Sequence, residues 1–91
     1  MDETARRVIF SGSVQGVGFR FTALNIATRY KLKGYVRNLP NGSVEMIVQG
    51  REETIESCID DIQDSFSGYI SETDTQPMTP EAKLTDFKIT F

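Results

Sequence analysis

Apolar residues recur along this chain with two periods, and the switches between them mark out its elements. The run Val8-Ile9-Phe10 predicts a strand over about Arg7 to Ser11. From Phe21 to Leu32 the pattern turns helical: with Phe19 just ahead of it, Ala23, Ile26, Ala27 and Tyr30 keep one face apolar. Arg29, Lys31 and Lys33 sit near its end, where cations suit the helix dipole, and Gly34 is a suitable stop. Tyr35 to Leu39 reads as a second strand, and Pro40-Asn41-Gly42 as a tight hairpin whose Asn-Gly pair accepts positive φ angles. A third strand, Ser43 to Gln49, alternates Val44, Met46 and Val48 against Glu45, Ile47 and Gln49, and Gly50 ends it. A second helix opens on Glu52, Glu53 and Glu56 and carries the apolar stripe Ile55, Cys58, Ile59, Ile62, Phe66. From Ser67 to Lys83 the composition is polar, with Pro77 and Pro80, and supports only an irregular strand around Tyr69 to Thr73 and a loop. Phe87, Ile89 and Phe91, alternating with Lys88 and Thr90, form a closing strand.

Strand, helix, strand, strand, helix, strand is the split βαβ order. It predicts an α+β, ferredoxin-like sandwich (βαββαβ), with two helices on one face of a mostly antiparallel sheet, as one domain over residues 1–91. In that topology the first helix is a crossover, so the first and second strands run parallel and end at the same sheet edge. With the third strand between them, their backbones stand two strand spacings apart, ~10 Å. The loop leaving the first strand and Asn38, near the end of the second, therefore face each other across that edge.

The loop holds the most specific chemistry. Gly12 to Arg20 reads Gly-Ser-Val-Gln-Gly-Val-Gly-Phe-Arg. The following helix has no Ser, Thr, Asp or Asn in the N-cap place, at Gly18 or Phe19, so no side chain serves its first N–H groups. Arg20 puts a cation at the positive end of the helix dipole, which costs about 0.3–1 kcal/mol if uncompensated. An anion answers both deficits, through free N–H groups and a guanidinium clamp. The second helix, with acids in its first turn, makes the opposite choice. Two glycines and an arginine are equally consistent with a tight turn and a solvated side chain, and on the local pattern both readings stand. Neither the third glycine of a dinucleotide fingerprint nor a Gly-Lys-Ser/Thr of a Walker loop is present. Asn38 likewise suits a turn, but Asn41-Gly42 already supplies the turn chemistry three residues on.

Composition narrows the chemistry further. The chain contains no histidine and one cysteine, which removes Ser-His-Asp, Cys-His and histidine-ligated zinc chemistry, and any internal disulfide. Cys58 lies in the apolar stripe of the second helix and reads as core. No apolar run approaches the ~18 residues of a membrane span, and Met1-Asp2-Glu3 does not open a signal peptide, so a cytoplasmic protein without a membrane partner is expected. The net charge of −3 is unevenly spread. Through Arg51 there are eight basic and three acidic residues, and beyond it two basic against ten acidic. The positive half could draw small anions toward the loop, while the acids solvate the outer face of the second helix.

Val14-Gln15-Gly16-Val17-Gly18-Phe19-Arg20, Gly34-Tyr35-Val36-Arg37-Asn38 and Asn41-Gly42-Ser43-Val44-Glu45 up to Gly50 closely resemble the two signature segments of the acylphosphatases, in order and in spacing. The resemblance spans about Val8 to Gly50. The segment from Ser67 to Lys83 departs from the Gly-Pro and Ala-x-Val spacing common in that family. The resemblance implies a ferredoxin-like sandwich that hydrolyses acyl phosphates to a carboxylate and inorganic phosphate, without metal, cofactor or covalent intermediate. By position it implies that Gln15, Gly16, Val17, Gly18, Phe19 and Arg20 hold the phosphate, and that Arg20 and Asn38 are catalytic, Asn38 orienting the water. It implies a small-molecule acyl phosphate as partner, no nucleic acid, and a monomer. A non-catalytic anion- or partner-binding module on the same fold is the alternative. An RNA-recognition module shares the element order, but the third strand, Ser-Val-Glu-Met-Ile-Val-Gln, lacks the aromatic and basic residues it needs.

Overall fold

A computed structural model describes residues 3–91; Met1 and Asp2, where the chain was expected to open without a signal peptide, lie outside them. Seven elements follow in order: β1 (Thr4–Gly12), α1 (Phe19–Arg29), β2 (Lys33–Asn38), β3 (Val44–Gly50), α2 (Glu52–Ser65), β4 (Ile70–Met78) and β5 (Phe87–Ile89). The five strands form one mixed sheet in the order β4-β1-β3-β2-β5. β3 is antiparallel to both β1 and β2, which makes those two parallel and separates them by one strand, as the ferredoxin-like order requires. Val8, Phe10, Val36, Val44, Met46 and Val48 from the sheet join Phe19, Ala23, Ile26 and Ala27 of α1 and Ile55, Cys58, Ile59 and Ile62 of α2 in one apolar cluster. Both helices therefore cover the same face. Tyr30 clips them together by donating its hydroxyl to Asp61 Oδ2 at 2.6 Å.

Four expectations are corrected. First, α1 ends at Arg29, and Gly34 does not stop it. Lys31 takes the left-handed conformation (φ 58°), its N–H reaching Thr28 O and that of Leu32 reaching Ala27 O, both at 3.0 Å. This paired closure carries the buried Leu32 onto the core, so packing rather than a glycine makes the stop. Gly34 lies inside β2 with φ 140°, and a Cβ there would overlap the Ile47 carbonyl of β3. Second, the hairpin turns on Pro40-Asn41-Gly42 as expected, but of its Asn-Gly pair only Gly42 takes a positive φ, 92°. Leu39 O accepts from Gly42 N–H, Leu39 N–H reaches Ser43 O, and Asn41 Oδ1 accepts from the Ser43 amide.

Third, the alternation along β3 does not divide buried from exposed positions, and Gly50 falls inside the strand: all seven of its residues are buried. On the face away from the helices Glu45 is enclosed by Arg7 (2.6 Å) and Arg37 (2.7 Å). Gln49 there is bonded to Glu3 and to both backbone groups of Glu81. Fourth, the irregular segment after α2 is a nine-residue strand. β4 pairs with β1 from Ala5↔Met78 to Gly12↔Ile70, with a register shift at Ser11/Gly12. Pro77 fits because β4 is an edge, where a missing N–H leaves no neighbour unpaired. β4 thus holds the sheet edge beside β1. β5 adds a parallel edge strand beside β2, and it ends at Ile89 with Phe91 outside the sheet.

Candidate active site

The β1–α1 loop is anchored at its start by Ser13 N–H, which donates to Tyr69 O at 2.9 Å, and by the fully buried Val14. Gly16 and Gly18 both adopt φ 78°. Such left-handed residues spaced by one ordinary residue curl successive N–H groups toward one side, the geometry of an anion-binding nest. Space is not the reason for glycine there, since a Cβ at either position would meet nothing within 4 Å; the backbone conformation is. Gly18 is the N-cap of α1, no side chain caps the helix, and its first turn holds no acid. Among the described residues no acceptor receives the N–H groups of residues 16 to 21.

A cavity of about 240 Å³ opens at this loop. It is lined by Val14, Gly16, Gly18, Phe19, Arg20, Phe21, Asn38 and Ile89. The Phe19 ring points away into the core, packed on Phe10 (centroids 5.0 Å apart) and Phe66 (4.6 Å), so its contribution to the cavity is backbone. Arg20 makes no ion pair among the described residues, and its guanidinium carbon lies 5.4 Å from the centre of the Phe91 ring. Asn38 ends β2, and its Oδ1 is the one buried side-chain oxygen or nitrogen among the described residues to which nothing donates. An orphaned buried acceptor costs about 1–3 kcal/mol, so one retained on a cavity wall points to a donor from outside the protein.

Of the seven residues singled out from the sequence, five meet at this cavity: Gly16, Gly18, Phe19, Arg20 and Asn38. Val17 is exposed on the loop. Gln15 is different. Its side-chain amide donates to Leu39 O and to Ser43 O, each at 2.9 Å, and is fully committed to the hairpin that follows Asn38. It ties the loop to β2 and β3 and has no side-chain N–H left for a ligand.

Phe21, Ile89 and Phe91 escaped the sequence reading. For Phe21 the signal was available, since it falls out of phase with the apolar stripe of its own helix. The other two become neighbours of Arg20 only through the parallel pairing of β5 with β2.

The charge pattern also resolves. Of the eight basic residues in the first 51, Arg6, Arg7, Lys33, Arg37 and Arg51 are paired with acids. The positive half is thus largely neutralised in place, and Arg20 is the cation left at the cavity. Arg37, next to Asn38, is half-exposed and held on Glu45, on the sheet face opposite the helices. Glu52, Glu53, Glu56, Asp60 and Asp64 are exposed along α2, as solvating acids should be. Cys58 is fully buried, and burial pushes its thiol up to about 12, which suits packing and not nucleophilic work. No helix among the described residues is long and apolar enough to cross a membrane.

Two helices on one face of a mixed sheet with β3 between the parallel β1 and β2 define a ferredoxin-like α/β sandwich, here with an uncapped helix start beside a strand-end amide. Comparison with known proteins narrows this class. The sequence model of the acylphosphatases matches residues 6–89. An acylphosphatase of Lactobacillus gasseri is 36% identical over 83 residues, 89% of this chain and 91% of that one. One of Methanospirillum hungatei is 43% identical over 63 residues, 69% of each chain. The crystal structure of the Bacillus subtilis acylphosphatase superposes with a TM-score of 0.89 at 29% identity, covering 97% of this chain and 99% of that one. The chain belongs to the acylphosphatase family and is a hydrolase of that type.

Proposed function

We propose that this chain hydrolyses acyl phosphates at the cavity between the β1–α1 loop and Asn38, with the loop N–H groups and Arg20 holding the phosphoryl group and Asn38 aiming the water. The observation that carries this reading is the unsatisfied Asn38 Oδ1, which lines the same cavity as the uncapped start of α1 and Arg20. Donors converge from one side and a lone acceptor stands on the other. A phosphoryl dianion takes the donors; a water hydrogen takes the acceptor. Held by that hydrogen bond, the water presents its lone pair toward phosphorus, opposite the leaving oxygen.

The balance needs little else. Water oxygen bonds to phosphorus, the bond from phosphorus to the acyl oxygen breaks, and its electron pair leaves with the carboxylate. Both water hydrogens can remain with the phosphate product, so the dianionic substrate yields one carboxylate and one monoanionic phosphate. The leaving group has a conjugate-acid pKa near ~4, so no protein acid is required to release it. Phosphoryl transfer then depends mainly on alignment and on charge stabilisation over the equatorial oxygens, which amide dipoles and a planar guanidinium supply. This chemistry is compatible with a chain that contains no histidine. It also favours acyl phosphates over phosphate monoesters, whose alkoxide leaves far less readily.

Three variants test the roles. Arg20→Gln should lose phosphate binding and turnover together, and Arg20→Lys should not restore them, because an ammonium lacks the two-point planar contact. Asn38→Ala should lower kcat by about 10²-fold while phosphate still binds. Turnover of benzoyl phosphate in EDTA, with calorimetric titration of orthophosphate, reads both quantities. An Asn38→Ala variant with near-normal kcat removes the water-aiming role. Binding without turnover by the unaltered protein leaves only an anion-binding module.

A further inference from the structure

The cavity wall is not uniformly polar, and its apolar part does nothing for a phosphate. At about 240 Å³ the space equals roughly eight waters' worth of liquid, more than the few heavy atoms of a phosphoryl group need. Of the five large apolar side chains exposed among the described residues, Val17, Phe21 and Phe91 all belong to this corner. Phe21 is 62% exposed and Phe91 94% exposed. Phe21 sits in the first turn of α1, off the buried stripe, so helix packing does not account for it. Phe91 lies two residues beyond β5 and rests on the Arg20 guanidinium, not on the core. Ile89, which ends β5, lines the same cavity as Phe21, Arg20 and the loop glycines. Aromatic rings grouped in water around a charged site mark a surface that receives an apolar group.

We infer that Phe21, Ile89 and Phe91 form an acyl-binding rim continuous with the phosphate cavity, which selects phosphates of carboxylic acids carrying a flat, apolar acyl group. This rests on the acyl-phosphate reading above and adds to it a substrate class. With the phosphoryl group fixed by the loop and Arg20, the acyl carbon must leave the cradle on the side where Phe21 and Ile89 stand. A flat acyl group there covers ring surface that water otherwise wets. A two-carbon acyl group is too short to do so, and a charged one loses hydration without gaining a partner.

The test compares kcat/KM for benzoyl phosphate and acetyl phosphate in the unaltered protein and in Phe21→Ala, Phe91→Ala and the double variant. Both substitutions fall at exposed positions, and thermal melting checks that the fold is retained. The benzoyl-to-acetyl ratio should drop about tenfold in the double variant, with each single variant in between. A ratio that stays constant, whether both rates fall or neither does, overturns the rim. If the unaltered protein turns over neither substrate, the hydrolase reading fails, and titration with benzylphosphonate against methylphosphonate decides the rim by itself. Tighter benzylphosphonate binding that is lost in the double variant supports it, and equal binding of the two overturns it.

Discussion

Gln15 offers the sharpest way to separate holding the fold from holding the site. Its side-chain amide bridges Leu39 O and Ser43 O, each at 2.9 Å, across the hairpin that begins one residue after Asn38. Gln15→Leu removes both bonds. The two carbonyls keep one partner each, Gly42 N–H on Leu39 O at 3.1 Å and Leu39 N–H on Ser43 O at 2.9 Å, so neither is orphaned. The loss is therefore two neutral hydrogen bonds at a half-buried position, about 1–3 kcal/mol in all, or a Tm lower by roughly 5–15 °C. The kinetic cost comes through Asn38. Without the tie, the loop and the end of β2 can drift apart, and a misalignment on the order of 1 Å can lower kcat by up to about 10²-fold. Phosphate binding, which the proposed mechanism assigns to the loop and Arg20, should change much less.

Gln15→Glu should be worse than Gln15→Leu at neutral pH. Its carboxylate cannot donate and sets a negative charge against two carbonyl oxygens, beside the place proposed above for the phosphoryl dianion. The expected order of kcat/KM is the unaltered protein, then Gln15→Leu, then Gln15→Glu, measured on an acyl phosphate below each variant's melting transition. A Gln15→Leu protein that loses the stability worked out above yet keeps full kcat would refute the link. The bridge would then hold the hairpin alone.

Two further changes probe the frame around the site. Gly34→Ala forces a side chain into φ 140° and against the Ile47 carbonyl, which together cost about 2–6 kcal/mol; urea unfolding measures it, and a loss below about 1 kcal/mol means β2 and β3 separate more freely than their pairing implies. Glu45→Gln replaces a buried carboxylate held by two guanidiniums that are about 40% exposed, and should cost about 1–3 kcal/mol at pH 7. Burial is the strongest single influence on the Glu45 carboxyl and pushes its pKa up, but hydrogen bonds and charge from Arg37 and Arg7 together outweigh it and hold the pKa below the ordinary carboxylate value. A carboxyl depressed in the folded chain stabilises above its unfolded pKa, about 4.3, and that stability is lost as pH falls through the folded value. Melting curves should thus show the gap between the unaltered protein and the Glu45→Gln variant closing below about pH 4, and a gap unchanged at pH 3 would rule out the ion pair as its source.

How far each feature is legible in the sequence depends on how local its cause is. The loop's chemistry is written in consecutive residues: two glycines, a missing cap and Arg20 all fall between Gly16 and Arg20. Asn38 requires one more step, the parallel placement of β1 and β2, and the element order supplies it. β4 stays hidden because its residues carry no buried alternation. Ser71, Glu72, Asp74 and Gln76 are all exposed, and the strand is held by its ladder to β1, some sixty residues away in sequence. Glu45 looks like the polar side of a half-exposed strand. Its burial comes from Arg7 and Arg37, whose convergence on one carboxylate depends on strand register. Phe91 looks like the next inward residue of a strand that in fact ends two residues earlier.

The two helices show how a small chain leaves a site uncommitted without losing the element that bears it. α2 begins with Glu52 and Glu53 against its positive end, whereas α1 begins with no acid, no cap and Arg20. Local terms alone would fray the start of α1. It persists because its stability is lodged elsewhere: Phe19, Ala23, Ile26 and Ala27 are buried, Phe19 between two other rings, and the paired closure at Lys31 and Leu32 fixes the opposite end. The first-turn N–H groups are consequently fixed next to the packed Phe19 ring while remaining unbonded. A side-chain cap would satisfy some of them permanently; a core-anchored Phe19 leaves them open to the phosphoryl group proposed above. Rigid donors need no reorganisation when charge develops on phosphorus-bound oxygens, and that is where such donors contribute most.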